Sequence, residues 1–211
     1  MVAKRSYDSS RRQAAAYERR LSIIEAARRL FIEQGYPATT MADIAREAAV
    51  NVDTLYAGVG TKPELFALLI DVTFSGTAEE IPVELRNYVA RIQEEPRPER
   101  KLEIYAAAVT EIWERMASLL QVLQSGASAN TALAEIWESF QQHRADNLQL
   151  LIDELQPIGA LRSGLEPATT VDSAWAVTST EVYLLLTANR DWSAERYRDW
   201  LADSLKRLLL N

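Results

Sequence analysis

Fewer than thirty residues, Ala38 to Phe66 (ATTMADIAREAAVNVDTLYAGVGTKPELF), contain three helix starts and two tight turns. This is the sequence of a helix-turn-helix. Thr40 stands before Met41 with Asp43 three residues on, and Thr61 before Lys62 with Glu64 three residues on, so two helices begin with a capping-box arrangement. Asn51 is placed to cap the short helix between them. A helix that short is marginal alone, and its stability must come from Ile44, Ala45, Ala48, Val50 and Leu55 packing helix on helix. Its outward face is left free to touch a partner.

The segment, with what precedes it, resembles the tetracycline-repressor (TetR) family of bacterial transcriptional regulators. The resemblance rests on Ile24, Ala26, Ala27, Leu30, Phe31, Gly35 and Tyr36 in the first helix and its exit. It continues through Thr39, Thr40, Ile44, Ala45, Ala48, Val50, Thr54, Leu55, Tyr56, Lys62, Glu64 and Leu65, in one register without a gap. It implies an all-α fold: an N-terminal three-helix helix-turn-helix DNA-binding head, and a larger helical body that binds a ligand and dimerises. One departure stands out. After Leu55-Tyr56 the family carries a second aromatic, a polar residue and Phe, where this chain has Ala57, Gly58 and Val59. Gly58 and Gly60 are expected to end the third helix early in left-handed conformations, and Val59 to fill the apolar place of the missing Phe.

Charge is divided unevenly. Over residues 1–20, six basic residues face two acidic ones, and over residues 1–75 ten face nine, leaving thirteen basic against twenty-one acidic in the remainder. The net charge of −7 therefore belongs to the body. A basic arm ahead of a helix-turn-helix supplies the field that phosphates require, and Arg11 and Arg12 are read as DNA contacts. For Lys4 and Arg5 a solubilising tail is an equal reading. The chain has no cysteine and one histidine, His143, so disulfides, zinc-thiolate sites and two-histidine metal motifs are excluded and no metal or cofactor is expected. The opening MVAKRSYDSSRR lacks an apolar signal core, and no apolar run is long enough to span a bilayer. A soluble, cytoplasmic protein without membrane contact is expected.

Helical periodicity continues to the C-terminus. A DNA-binding domain over residues 1–75 and a ligand-binding and dimerisation domain over 76–211 are expected. The first helix should end at Gly35, and Leu65, Leu68, Leu69 and Val72 of the fourth should face inward. Phe74-Ser-Gly-Thr and Pro82 mark the joint. A short helix to about Glu94 then precedes the solvated turn EEPRPER. Long helices are expected over Glu99–Gln124 and Asn130–Gln156, separated by SGAS, then a loop bracketed by Gly159 and Pro167, and helices over Ala168–Ala188 and Ala194–Leu210.

In the body, Tyr105, Val109, Ile112, Trp113, Met116, Leu120 and Leu123 form one apolar stripe. Leu133, Ile136, Trp137, Phe140, Leu148, Leu151 and Leu155 form another. Such stripes are ordinarily core. His143 and Asn147 continue the register of Ile136 and Phe140 with polar groups, which implies either a closed hydrogen-bond network or a cavity for a polar ligand. The resemblance places an inducer cavity among these helices, and the candidates are Trp113, Met116, Phe140, His143, Asn147, Trp175 and Thr178. Val171, Trp175, Val182 and Leu185 share a face on the penultimate helix, and Tyr197, Leu201, Leu205 and Leu208 on the last; these are read as a homodimer seam.

Catalysis finds no support. Gly126-Ala-Ser128-Ala-Asn130 lacks the closing glycine and the strand of a nucleophile elbow, and Gly58-Val-Gly60-Thr-Lys62 has the wrong order for a phosphate loop. Glu79-Glu80 and Glu94-Glu95 read as hydrated joints. The expected protein is a DNA-binding repressor released from its double-stranded operator by a small molecule; the alternative is a helical protein-interaction module without an inducer. Val52, Asp53, Thr54 and Ala57, beside the capping Asn51, would face the bases. Val52 and the Thr54 methyl would pack on thymine methyls, while Asp53 either accepts from a cytosine amine or repels phosphates in wrong registers. Tyr56 and Lys62, with Thr39 and Thr40 at a helix start, would hold phosphates.

Overall fold

The computed structural model describes residues 3–76 and 87–211, with side chains described from residue 14 onward except at 167 and 168. Glu79, Glu80 and Pro82, read above as joints, lie outside the described residues. Among the described residues ten α-helices follow one another: α1 (Ala3–Ala38), α2 (Met41–Glu47), α3 (Val52–Val59), α4 (Lys62–Ser75), α5 (Asn87–Glu94), α6 (Pro98–Ala127), α7 (Thr131–Leu155), α8 (Pro167–Val177), α9 (Thr180–Thr187) and α10 (Ala194–Leu209). Among the described residues there is no strand, only an isolated antiparallel bridge between Leu161 and Leu210. None of the described helices is long and apolar enough to cross a membrane.

The head is built as its caps dictate. Gly35 interrupts α1 at φ 78°, ψ 164°, and one further turn carries the chain through Pro37 to Ala38. The Thr40 hydroxyl accepts from the Asp43 N–H at 3.1 Å, and the Asn51 side chain accepts from the Asp53 N–H at 2.9 Å. At the start of α4 the Thr61 N–H donates to the Glu64 carboxylate at 2.7 Å, which closes that box. Ile44, Leu55, Leu65, Phe66 and Leu69 are fully buried against Ala27 and Phe31 of α1. Phe31, Tyr36 and Phe66 pack as a ring triad with centroids 4.9 to 5.5 Å apart.

Helix α6 is the axis of the body and touches α1, α4, α5, α7, α9 and α10. The buried side chains of the first four helices and of the body form one contiguous cluster from Ile23 to Leu210. Lys101 on α6 is buried and pairs with Glu154 of α7 at 3.3 Å, so its charge is not left alone in that core.

Four expectations need correction. Gly58 remains helical, and only Gly60, at φ 73°, terminates α3. Helix α6 runs through Gly126 to Ala127, and Gly126 lets α7 turn back closely, since a Cβ there would collide with the Leu133 side chain. The single helix expected over Ala168–Ala188 is broken at Thr178–Ser179. In an unbroken helix the Thr178 carbonyl would accept from the Val182 N–H; here the Trp113 indole N–H takes that carbonyl at 3.0 Å and the Ser179 hydroxyl takes the Val182 N–H at 3.3 Å. Finally, Tyr197, Leu201 and Leu205, placed on a dimer seam, are fully buried within the protomer. The stripe on α10 faces α6 and α8, which absorb it.

Candidate nucleic-acid interface

Helix α3 is held to the head by two buried side chains, Leu55 and Val59. Everything else on it is offered to solvent: Asn51, Val52, Asp53, Thr54, Tyr56, Ala57 and Gly58 are all exposed, Tyr56 by 47%. An exposed Val and an exposed Tyr on a short capped helix form a surface with apolar, hydroxyl and carboxylate groups in reach of one another. That is the chemical range found on base edges and phosphates. Arg46, at the end of α2, keeps a largely exposed guanidinium beside Asp43. The Asp43 carboxyl is held below its ordinary value, first by the Thr40 hydroxyl and then by Arg46.

Three residues expected to touch phosphate are placed otherwise. Thr39 is fully buried, its hydroxyl shared between the carbonyls of Gly35 at 2.9 Å and Leu30 at 3.1 Å, where it repairs the backbone opened by the glycine break. Thr40 is exposed, but its hydroxyl is spent on capping α2. Lys62 turns back: its ammonium donates to the Tyr36 carbonyl and lies 4.2 Å from the Tyr36 ring centroid, and burial lowers its pKa. Arg11 and Arg12 lie on the backbone of α1, with their side chains outside the described set.

Behind the head, a narrow cavity, part of it open to the surface, is lined by Phe74, Tyr88, Tyr105, Val109, Ile112, Trp113, Arg144, Asn147 and Thr178. Of the pocket candidates, Trp113, Asn147 and Thr178 line it. Met116 and Phe140 are buried in the core and are not among those lining residues; Trp175 is half-buried and accepts from Arg144 through its carbonyl at 3.0 Å. His143 is exposed and does not line it. The inward positions on α7 are Phe140, Arg144, Leu148 and Leu151, so the polar residue facing the core is one position beyond the histidine. Burial pushes the Tyr105 phenol well above its ordinary value and lowers the pKa of Arg144.

Phe74 belongs to α4, so the head itself supplies one wall of the cavity. The same joint is bonded on both sides: Arg115 of α6 donates to the carbonyls of Thr73 and Phe74 at 3.4 Å, and Arg28 of α1 donates to the Arg115 carbonyl at 3.2 Å.

Residues 23–69, which hold the helix-turn-helix, match the model of the bacterial regulatory proteins of the tetR family. Over these residues the chain is similar to the TetR family. The HTH-type transcriptional regulator HbdR of Aromatoleum sp. (strain CIB) is 43% identical over 65 residues, 31% of this chain and 28% of that protein. The chain thus aligns with little more than a quarter of the curated relative, and the likeness in sequence is confined to the head. Beyond the head the likeness is one of fold. NalD of Pseudomonas aeruginosa, described as the secondary repressor of the MexAB-OprM multidrug efflux pump, superposes with a TM-score of 0.70 at 21% identity over 92% of this chain and 97% of its own. SmeT in complex with triclosan superposes with a TM-score of 0.70 at 19% identity, covering 92% of each chain.

Sequence reasoning missed Arg144, Tyr105 and Phe74 as cavity residues of this body. A periodic apolar stripe carries no sign of where the packing leaves a void.

Proposed function

We propose that the chain is a cytoplasmic DNA-binding transcriptional regulator that acts as a homodimer and represses from a double-stranded operator, from which a small molecule in the body releases it. The observation that carries the DNA reading is the α3 surface, buried at Leu55 and Val59 alone and exposed everywhere else along its reading face. Val52, Asp53, Thr54 and Ala57 face the bases in the major groove. Tyr56 takes a phosphate, Arg11 and Arg12 add backbone contacts from the arm, and Lys62 contributes only the ammonium protons not used on Tyr36. Thr39 and Thr40 serve by fixing the start of α2, whose N–H groups favour an anion.

The dimer face lies on the outside of α8 and α9. Leu185 is 55% exposed there, and Val171, Trp175, Val182 and, from α10, Leu208 are half-buried. Release follows from Phe74: a ligand in the cavity displaces the last turn of α4, which shifts the equilibrium between head positions by its differential affinity for them. The likeness in fold to a named repressor and to a ligand-bound protein supports this reading.

The test is duplex binding across a salt series. Wild type is expected to lose affinity steeply with salt; Tyr56→Phe weakens binding to all duplexes alike, and Thr54→Ala changes which duplex is preferred. Salt-independent binding, or no binding to any duplex in a random pool, overturns the reading in favour of a protein-interaction module. Phe74→Ala is expected to keep DNA binding and lose release.

A further inference from the structure

Arg144 is a buried charge without a counter-charge. It is 6% exposed, and its guanidinium spends one N–H on the Gln141 side chain at 2.8 Å and one on the Trp175 carbonyl at 3.0 Å. Both acceptors are neutral. Its carbon lies 5.4 Å from the Trp113 ring centroid and 5.0 Å from that of Trp175. Among the described residues no carboxylate pairs with it. The acid whose charge reaches it, Glu181, is exposed and accepts from Gln124 at 3.0 Å. Cation–π contacts lessen the cost of burying such a group but do not neutralise it, and buried charges are ordinarily paired.

A guanidinium carries five N–H donors in a rigid fork, so two commitments leave donors that can close on a bidentate acceptor. Arg144 also lines the cavity, where its neighbours are the aromatic and aliphatic side chains of Phe74, Tyr88, Val109, Ile112 and Trp113, with the Asn147 amide beside it. An anion that closes on this fork has to be small, because the cavity is narrow and only partly enclosed.

We infer that the cavity binds a small organic carboxylate, an aromatic or short aliphatic acid whose carboxylate is the counter-ion of Arg144 and whose apolar body packs against Trp113 and Ile112. This rests on the cavity being the ligand site proposed above. A quaternary ammonium is rejected by the same charge, and a neutral isostere leaves the guanidinium unpaired.

The experiment is calorimetric titration of the full chain with matched probes: benzoate, phenylacetate and octanoate, each against its primary amide, and benzyltrimethylammonium as the cation. At least one acid is expected to bind ten-fold or more tighter than its amide, with no heat from the cation. Arg144→Met should erase that preference while melting at or above the wild-type temperature, because it removes an uncompensated charge at similar volume. If no acid is preferred over its amide, or if the preference survives in Arg144→Met, the inference is overturned. Should Arg144→Met fail to fold, Arg144→Lys decides: a charge without the fork should keep the sign of the preference and lower the affinity for the acid, and an unchanged affinity overturns the inference. Salt-dependent duplex binding is measured on the same preparations. Loss of acid preference with intact DNA binding refutes the ligand class alone, whereas absence of DNA binding refutes the proposed function alone.

Discussion

The same substitution two residues apart on the recognition helix should have opposite effects on stability. Gly58 lies inside α3 with helical backbone, and nothing comes within 4 Å of a Cβ built on it. Gly58→Ala therefore gains helix propensity without a clash and should stabilise by about 0.5 to 1 kcal/mol. Gly60 has φ 73° and ψ −147°, a region that only glycine occupies comfortably, and a Cβ there would meet the Glu64 carboxylate that closes the α4 capping box. Gly60→Ala combines backbone strain of roughly 1 to 3 kcal/mol with a lost cap of about 1 kcal/mol. The two variants should differ by roughly 3 to 5 kcal/mol. At about 2 to 4 °C per kcal/mol for a chain of this size, that is a gap of roughly 10 °C in melting temperature. Because head and body share one continuous core, unfolding of the whole chain, followed by far-ultraviolet circular dichroism in urea and on heating, reports the local change. Equal midpoints for the two variants, or a destabilised Gly58→Ala, would refute the reasoning.

Three further outcomes are expected. Among the described residues the Tyr197 hydroxyl is buried without a hydrogen-bond partner, and the nearby Trp113 N–H is spent on Thr178, so Tyr197→Phe should stabilise by about 1 kcal/mol in urea unfolding; a loss of stability would reveal a partner. Leu205→Glu places a charge in the protomer core and should unfold the chain, whereas Leu185→Glu, at an exposed position, should leave the fold intact and split the proposed dimer in sedimentation. A folded Leu185→Glu variant that sediments as a dimer would move the interface elsewhere. Glu95 is held down to about 2 by Arg97, below its unfolded value of about 4.3, so its stabilising contribution is complete at neutral pH and fades as pH falls between those values. Glu95→Gln should remove that part of the acid dependence, which an acid series of urea midpoints would detect.

The head was legible because its information is local. Caps at Thr40, Asn51 and Thr61 sit within three residues of the donors they satisfy, and the buried set Ile44, Leu55 and Leu65 repeats at helical spacing. The body was legible as helices but not as surfaces. Positions 143 and 144 both fall within reach of the inward direction from Phe140, and periodicity favoured the histidine; the flanking rings of Trp113 and Trp175, distant in sequence, make the arginine the buried one. The α10 leucines carried the same ambiguity. An apolar stripe does not state whether it is covered by its own chain or by a second copy, and here α6 and α8 cover Tyr197, Leu201 and Leu205. The break at Thr178–Ser179 has one local signal, the Ser179 hydroxyl that caps α9, and one that is not local, an indole sixty-five positions away.

The joint between head and body is made by arginines donating to main-chain carbonyls, at Thr73, Phe74 and Arg115 itself. A carbonyl is present whichever side chain its residue carries, so the acceptors of this connection are indifferent to mutation. On the proposed function, substitutions on the exposed face of α3 and in the cavity can then change operator and ligand preference separately, without removing an acceptor of this joint. For engineering, that makes the last turn of α4 a natural seam for chimaeras: a foreign head joined before Thr73 leaves both carbonyl acceptors and their Arg115 donor in this chain, and only the Arg28 donor has to be supplied by the new first helix.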